Sequence, residues 1–257
     1  ASSYDHDLLQ MSCQWQHWLG SGQRCTVIPG FLKQIDAGAG LVFAVTDDGD
    51  IFYLYDDILV NFPGNLNHVS VGPAGFWGTN KEDDIFKLED GNWVKVAGKL
   101  KQVDAGGERY LVGVNQFDTI YCLNKDAVNA DGTNLPFNPI EGSLMYYSCG
   151  PYGCWGVNSH NKIFLRLNVS PTNCKGSSWR PVEGRLVMVE ASTDGAVYGI
   201  NDVGQIYRRI GISLSNPMGN YWTQVNIDGS FKHLAYDAGI LWLIGDNGSI
   251  MSCKMPY

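Results

Sequence analysis

No apolar run in this 257-residue sequence reaches the ~18 residues that a membrane-spanning helix needs, so helical membrane insertion has no candidate segment. Positive charge is also scarce: 18 Lys and Arg stand against 26 Asp and Glu, for a net charge of −8. Nucleic acid and anionic lipid surfaces both attract basic proteins, so neither is an expected partner. No stretch places apolar residues at helical spacing, which argues against a helical architecture. Residues 1–24 are polar, with Cys13, Trp15 and Trp18 interspersed, and lack the apolar core of a signal peptide; they are expected to form an N-terminal extension of a mature chain, ahead of a single unit over 25–257. Glycine, in contrast, is plentiful at 31 residues, which suits an all-β chain with many turns.

One phrase occurs six times. Its first anchor is a Gly-x-Leu/Phe step, at Gly30, Gly64, Gly98, Gly142, Gly184 and Gly229, with Leu32, Leu66, Leu100, Leu144, Leu186 and Phe231 two residues on. Its second is an isoleucine 21 or 22 residues after the glycine: Ile51, Ile85, Ile120, Ile163, Ile206 and Ile250. Five residues before each isoleucine stands a small or amide residue, Thr46, Asn80, Asn115, Asn158, Asn201 or Gly245. A fixed period of 34 to 45 residues marks a repeat architecture.

Within a unit, Tyr110 to Val114 is apolar without alternation, as are Leu41 to Val45 and Ala196 to Ile200. Such runs read as strands covered on both faces. Turn residues separate them, so neighbouring strands should be antiparallel hairpin partners. Four short strands per repeat are expected: Lys101 to Asp104, Tyr110 to Val114, Thr119 to Leu123, and an outer strand opening at a tryptophan such as Trp93. A small sheet that is greasy on both faces requires another sheet on each side. The repeats begin with an outer strand, Cys25 to Gly30, and end with a third strand, Ile250 to Cys253, so each end supplies what the other lacks and a closed ring follows.

The cysteines fit that ring. Cys25 takes the repeat position of Trp93, and Cys253 that of Leu88, which flanks the same hairpin, so the two should meet across the closing seam. Cys122 and Cys174 sit beside two long insertions, Lys125 to Asn138 and Asn168 to Ser178, expected to be surface loops, and are candidate partners. Cys149 and Cys154 flank a tight Gly-Pro-Tyr-Gly turn. A local disulfide there is favoured over a zinc site, since no second ligand pair of suitable spacing exists. Cys13 is left over, which points to a bridge between two copies, giving a homodimer, or to a free buried thiol. This usage implies an oxidising compartment and hence secretion, and the sequons Asn168-Val-Ser and Asn247-Gly-Ser suit it, although Pro171 follows the first.

The units Trp93-Val-Lys-Val-Ala-Gly-Lys-Leu-Lys-Gln-Val-Asp-Ala-Gly, Gly113-Val-Asn115 with Ile120-Tyr121, and Cys154-Trp-Gly-Val-Asn158 with Ile163-Phe164 resemble the tectonin repeat. With its Cys149-Gly-Pro-Tyr-Gly-Cys154 turn and terminal cysteines, the stretch Cys25 to Cys253 is similar to the fish egg lectin family of the tachylectin-1 and fishelectin type. The resemblance implies a six-bladed β-propeller that recognises glycans, notably N-acetylglucosamine and bacterial lipopolysaccharide, in eggs or innate defence. The chain departs from the family in its long N-terminal extension and in having Val225, Asn226 and Gly245 where a further cysteine pair can stand.

Catalysis is not expected. The five histidines, His6, His17, His68, His160 and His233, read as falling at unrelated repeat positions, and no axial acids or histidines recur at equivalent places. No nucleophile elbow, Ser/His/Asp order or phosphate-cradling loop is present. A binding face is better supported. The turn after the second strand carries polar groups in every unit, and the Gly-x-Leu link emerges beside it. Sugars need amide and carboxylate partners next to an apolar plate. The candidates are Asp47, Asn80, Asn115, Asn158, Asn201, Asp202 and Asp246, with Phe117 or Trp77, Trp155 and Trp242 as plates. The same residue types are what hairpin turns require, and strand tryptophans are more often core. The opposite face, with Asp36-Ala-Gly, Asp104-Ala-Gly-Gly and Asp237-Ala-Gly, competes for the role. Asp47-Asp48 and Glu82-Asp83-Asp84 have the donors for calcium but no complete ligand loop, and read as solvated turns. The sequence thus points to a secreted multivalent lectin without cofactor, and alternatively to an extracellular scaffold that holds a polypeptide on the same face.

Overall fold

The computed structural model describes residues 18–19 and 23–256. Cys13 and nearly all of the expected extension 1–24 lie outside the described residues. Six antiparallel sheets of four strands each follow one another along the chain, one of them extended by a fifth short strand. Blade 1 is Gln34–Gly38, Leu41–Val45, Asp50–Tyr55 and Ile58–Asn65; blade 2 is His68–Gly72, Gly75–Thr79, Asp84–Glu89 and Asn92–Lys99. Blade 3 is Gln102–Asp104, Leu111–Val114, Ile120–Leu123 and Asn138–Ile140; blade 4 is Tyr146–Gly150, Gly153–Val157, Lys162–Leu167 and Ser178–Arg185. Blade 5 is Met188–Ala191, Val197–Ile200, Ile206–Ile210 and Tyr221–Val225. Blade 6 takes Phe231–Asp237, Ile240–Gly245 and Ile250–Lys254 from one end of the chain and Gln23–Ile28 from the other. The sheets form a six-bladed β-propeller. No helix of the described residues is long and apolar enough to cross a membrane.

The seam is an ordinary ladder in which Ile28 pairs with Ile250 and Cys25 with Cys253. The Cys25–Cys253 disulfide closes it. Trp18–Leu19 adds a two-residue strand outside Gln23 and Arg24. Two further disulfides join Cys122 to Cys174 and Cys149 to Cys154. The insertion between the third and fourth strands of blade 3 is more than a loop: Lys125–Val128 forms one helical turn, and Val128 and Leu135 are buried in the core between blades 2 and 3.

The repeated residues have clear structural roles. Each anchor glycine has a positive φ between 102° and 134°, a conformation that side-chain-bearing residues avoid, and it turns the chain from one blade to the next. The amide of the residue two places on then donates back to the second-to-third-strand turn of the previous blade. Leu32 bonds the Gly248 carbonyl, Leu66 Gly49, Leu100 Asp83, Leu144 Asp118, Leu186 Asn161 and Phe231 Gly204, all at 2.9–3.1 Å. The link and this turn therefore share one face of the ring in every blade. The leucine packs across the middle of the second strand, where a Cβ on Gly113 would lie 2.8 Å from Leu100 and one on Gly199 2.4 Å from Leu186. The isoleucines Ile51, Ile85, Ile120, Ile163, Ile206 and Ile250 are buried between sheets.

The two terminal strands are held by a covalent bond spanning 228 residues, whereas Cys149 and Cys154 are 5 apart. Loop-entropy reasoning gives about 5 kcal/mol for the first and about 2 kcal/mol for the second. Replacing Cys25 and Cys253 together by Ser should therefore lower the denaturant-derived unfolding free energy markedly more than replacing Cys149 and Cys154. The reverse order in parallel denaturant titrations would contradict the seam as the chain's main covalent constraint.

Candidate functional site

The inner strands bring two layers of mostly polar side chains to the axis. The first layer holds Gln34, His68, Gln102, Tyr146, Met188 and His233, each four residues after its anchor glycine. The second, two residues further, holds Asp36, Ser70, Asp104, Ser148, Glu190 and Ala235. This corrects the expectation from sequence: His68 and His233 are repeat-equivalent, and the axis carries three carboxylates. Both histidines and all three acids are buried.

These groups tie each blade to the next. Gln34 donates to the Val69 carbonyl and accepts from its amide, both at 2.8 Å, and Gln102 does the same with Tyr147 at 2.8 and 3.0 Å. His68 Nε2 donates to the Val103 carbonyl at 3.1 Å and His233 Nε2 to that of Ile35 at 3.0 Å. Below them, Asp36 accepts from the Ser70 hydroxyl and the Val71 amide, both at 2.7 Å. Asp104 accepts from Ser148 at 3.1 Å, Cys149 at 3.0 Å and Gly106 at 3.1 Å. Glu190 faces Ala235 in place of a serine and accepts from Tyr146 at 3.4 Å.

Burial pushes Asp36 up to about 7, against the hydrogen bonds that favour its ion. Burial, with the nearby Asp36 charge, pushes Asp104 up to about 8. Burial raises Glu190 well above the usual carboxylate range, and the Asp36 and Asp104 charges add to it. Burial lowers His68 to about 3 and His233 to about 4, so both are neutral donors at physiological pH. The axis is thus a stitched structural core, closed at its first layer by His68, Tyr146 and His233, whose ring centroids lie 6.0–6.5 Å apart.

Among the described residues, open clefts lie on the link-and-turn face at two equivalent blade boundaries. The cleft between blades 2 and 3, about 300 Å³, is lined by Ile85, Gly98, Lys99, Leu100, Asn115, Tyr121 and Phe137. The cleft between blades 4 and 5, about 190 Å³, is lined by the residues at the same repeat positions: Ile163, Gly184, Arg185, Leu186, Asn201, Tyr207 and Trp222. Each combines a glycine backbone, a cation, an amide and two half-buried aromatics. Trp222 is fixed from beneath. Its Nε1 donates to the Glu183 carbonyl at 2.8 Å, and its ring meets Trp155 edge-on at 5.9 Å.

The turn residues nominated from sequence fall on this face. Asn115 and Asn201 line the clefts; Asn80 and Asn158 hold the same place in blades 2 and 4; Asp47, Asp202 and Asp246 are exposed at the turn tips. The asparagine carbonyl oxygens are already engaged. That of Asn115 accepts from Phe117 and Thr119, that of Asn158 from His160 and Lys162, and those of Asn80 and Asn201 likewise bond two amides within their own turns. Asn80 and Asn201 also spend their NH₂ groups, on Asp84 and Gln205. Trp77, Trp155 and Trp242 are buried in the core and are not plates, while Phe117 is 76% exposed. Asp84 is engaged by Lys99 and Lys95, which hold it down at about 2, and among the described residues no three His, Cys, Asp or Glu side chains gather as a metal site.

Reasoning from sequence missed the aromatic pairs. Tyrosine follows the third-strand isoleucine only at Tyr121 and Tyr207; the other repeats have Phe52, Phe86, Phe164 and Met251. That contrast was the available signal.

Comparison with known proteins accords with this architecture. The tectonin domain family matches residues 31–246. The fish-egg lectin of Cyprinus carpio is 51% identical over 232 residues, covering 89% of this chain and 98% of that protein. Among solved structures, the β-propeller domain of Cps50 (Swd1) from Myceliophteria thermophila superposes with a TM-score of 0.61 at 8% identity, covering 90% of this chain and 100% of that one. Selenomethionine-substituted virginiamycin B lyase from Staphylococcus aureus gives 0.58 at 14% identity, covering 88% and 80%. At such identities these two establish the propeller fold alone.

The buried acids imply a pH dependence of stability. Their folded pKa values are raised, so their contribution is full below the unfolded value of about 4.3 and is lost as pH rises through the folded values. The histidines act with the opposite sign, but only below their unfolded value of about 6.5. Between about pH 6.5 and 8.5 the melting temperature should therefore fall, and Glu190→Gln, which keeps a neutral side chain of the same shape, should flatten that slope. Identical slopes for the two proteins in thermal scans would rule out a protonated axial layer.

Proposed function

The chain belongs to the tectonin family, and from that premise we propose that it is a secreted, non-catalytic lectin that binds N-acetylglucosamine-type sugars and the glycans of bacterial lipopolysaccharide in egg or innate defence. The observation that carries this reading is the pair of equivalent clefts, each with two aromatic side chains beside an amide and a cation. A pyranose has CH faces that suit aromatic rings and hydroxyl edges that suit amide donors. In the cleft between blades 2 and 3 the Asn115 carbonyl oxygen is taken by its own turn, so its NH₂ group is what remains to meet a ligand. Three disulfides and the egg-lectin relative support export to an oxidising compartment.

Two shallow sites on one rigid body matter for affinity. Each alone binds a monosaccharide weakly, but both together on an arrayed glycan raise apparent affinity by ~10² or more. Free N-acetylglucosamine should therefore bind feebly by calorimetry, while a surface coated with it should bind tightly by plasmon resonance. Tyr207→Ala should remove most of the gain on the surface and leave the remaining site's affinity for free sugar unchanged. Equal affinities for free and arrayed sugar would count against the multivalent reading.

A further inference from the structure

The six repeats offer six versions of one cross-strand pair, formed by the residue before the third-strand isoleucine and the middle residue of the next Gly-x-Leu/Phe link. The pairs are Asp50 with Asn65, Asp84 with Lys99, Thr119 with Ser143, Lys162 with Arg185, Gln205 with Ser230 and Ser249 with Phe31. In blades 1, 2 and 4 the two residues face each other in the ladder. In blade 2 this register brings Lys99 Nζ to 2.6 Å from Asp84 Oδ1, with a second bond from Lys99 to the Glu82 carbonyl at 2.9 Å. The cation of the cleft between blades 2 and 3 is thereby neutralised.

In blade 4 the same register sets Arg185 opposite Lys162. Like charges directly opposed across a ladder repel, and neither residue has an ion pair among the described residues. Neither neighbouring carboxylate forms an ion pair with them. Glu183, two residues before Arg185, is held by Arg209, and Asp202, exposed on the facing turn, forms no ion pair among the described residues. Arg185 lines the cleft beside Asn201, Tyr207 and Trp222. A guanidinium there offers a fork of donors matched to the oxygens of an oxyanion.

We propose that the cleft between blades 4 and 5 selects sugars that carry a phosphate or sulfate group, which Arg185 and Lys162 hold while the ring rests against Tyr207 and Trp222. The cleft between blades 2 and 3, whose lysine is already paired, takes neutral sugars. This rests on the reading of both clefts as sugar sites. An anion placed between the two cations relieves their repulsion, so its binding weakens as salt screens the charges.

The test is calorimetric titration of the intact protein with N-acetylglucosamine and with N-acetylglucosamine 6-phosphate, at low and high salt. The phosphorylated sugar should bind one site per chain at least about tenfold more tightly at low salt, and the margin should shrink at high salt. Arg185→Gln, on an exposed side chain, should abolish the preference for the phosphorylated sugar. Lys99→Gln should leave the preference unchanged. Equal affinity for the two sugars, or a preference that survives Arg185→Gln, would overturn the assignment while leaving the lectin reading in place. Binding of neither sugar would overturn both.

Discussion

A ring of sheets holds its shape only if each inner strand is fixed against its neighbour, and hydrophobic contact between flat faces cannot do that alone because it is not directional. Here the directionality comes from side chains at the axis that bond the next blade's backbone: Gln34 to Val69, His68 to Val103, Gln102 to Tyr147 and, across the seam, His233 to Ile35. Every one of these bonds is buried, where an unmade bond would leave a polar group without water. The series lapses at blade 4, where Tyr146 donates to the Glu190 side chain of blade 5 rather than to its backbone, and at blade 5, where Met188 offers nothing to donate. There the connection passes to Asp237, whose carboxylate accepts from Thr193 of the blade 5 hairpin at 2.7 Å and from the Gly40 amide of blade 1 at 2.9 Å. One acid thus spans the boundary on both sides of blade 6, the blade assembled from both chain ends.

The same constraint places the clefts. Their walls come from different blades, so their width depends on how rigidly neighbouring blades are held. On the outer side this is done by the six amide bonds from the Gly-x-Leu/Phe links to the preceding turns. The turn asparagines belong to that machinery as well as to the cleft lining. Spending the amide oxygen on two backbone amides fixes the turn, and in Asn115 and Asn158 the NH₂ group has no hydrogen-bond partner among the described residues. The structural role thus rests on one end of the side chain, the oxygen, and leaves the nitrogen end unengaged in these two residues.

Much of the fold was legible because the repeat is written in residues with a single physical use. A glycine at φ above 100° cannot be replaced without strain, and the leucine beyond it needs a glycine or alanine in the facing strand, so both leave a periodic trace. The position of Cys25 and Cys253 relative to Trp93 and Leu88 was enough to place the seam. Asp36-Ala-Gly and Asp104-Ala-Gly-Gly look like turn sequences and so read as an opposite binding face, whereas in the structure Asp36 lies inside its inner strand and Asp104 ends its own, both buried at the axis. The alternation of Asp and Ser around the axis spans four repeats, and reading one repeat at a time hides it. The clefts were hidden for a related reason. Their defining aromatics, Tyr121 and Tyr207, are departures from the repeat, and a search for what all copies share passes over what two of them change.

Departure from the repeat also explains how the aromatic wall of the narrower cleft is held. Three residues after the isoleucine, blades 4 and 5 carry Arg166 and Arg209 where blades 1 to 3 have Leu54, Leu88 and Leu123. Both arginines are buried, at 2% and 4% exposure, which is costly for a cation unless its donors are all met. They are met in the same way in both blades. Arg166 Nε donates to the Lys175 carbonyl at 2.6 Å and its two terminal nitrogens to Glu141 at 2.7 and 3.1 Å. Arg209 bonds Met218 at 2.8 Å and takes Glu183 with both terminal nitrogens. The carbonyls come from the two extended loops, each pinched by a short bridge, Ser170 with Asn173 and Ser213 with Asn216. The guanidinium planes lie 4.9 Å from Trp179 and 5.2 Å from Trp222. An insertion that looks like surface decoration in the sequence thus supplies the acceptor that lets a buried arginine brace a tryptophan, and in blade 5 that tryptophan is the wall of the cleft.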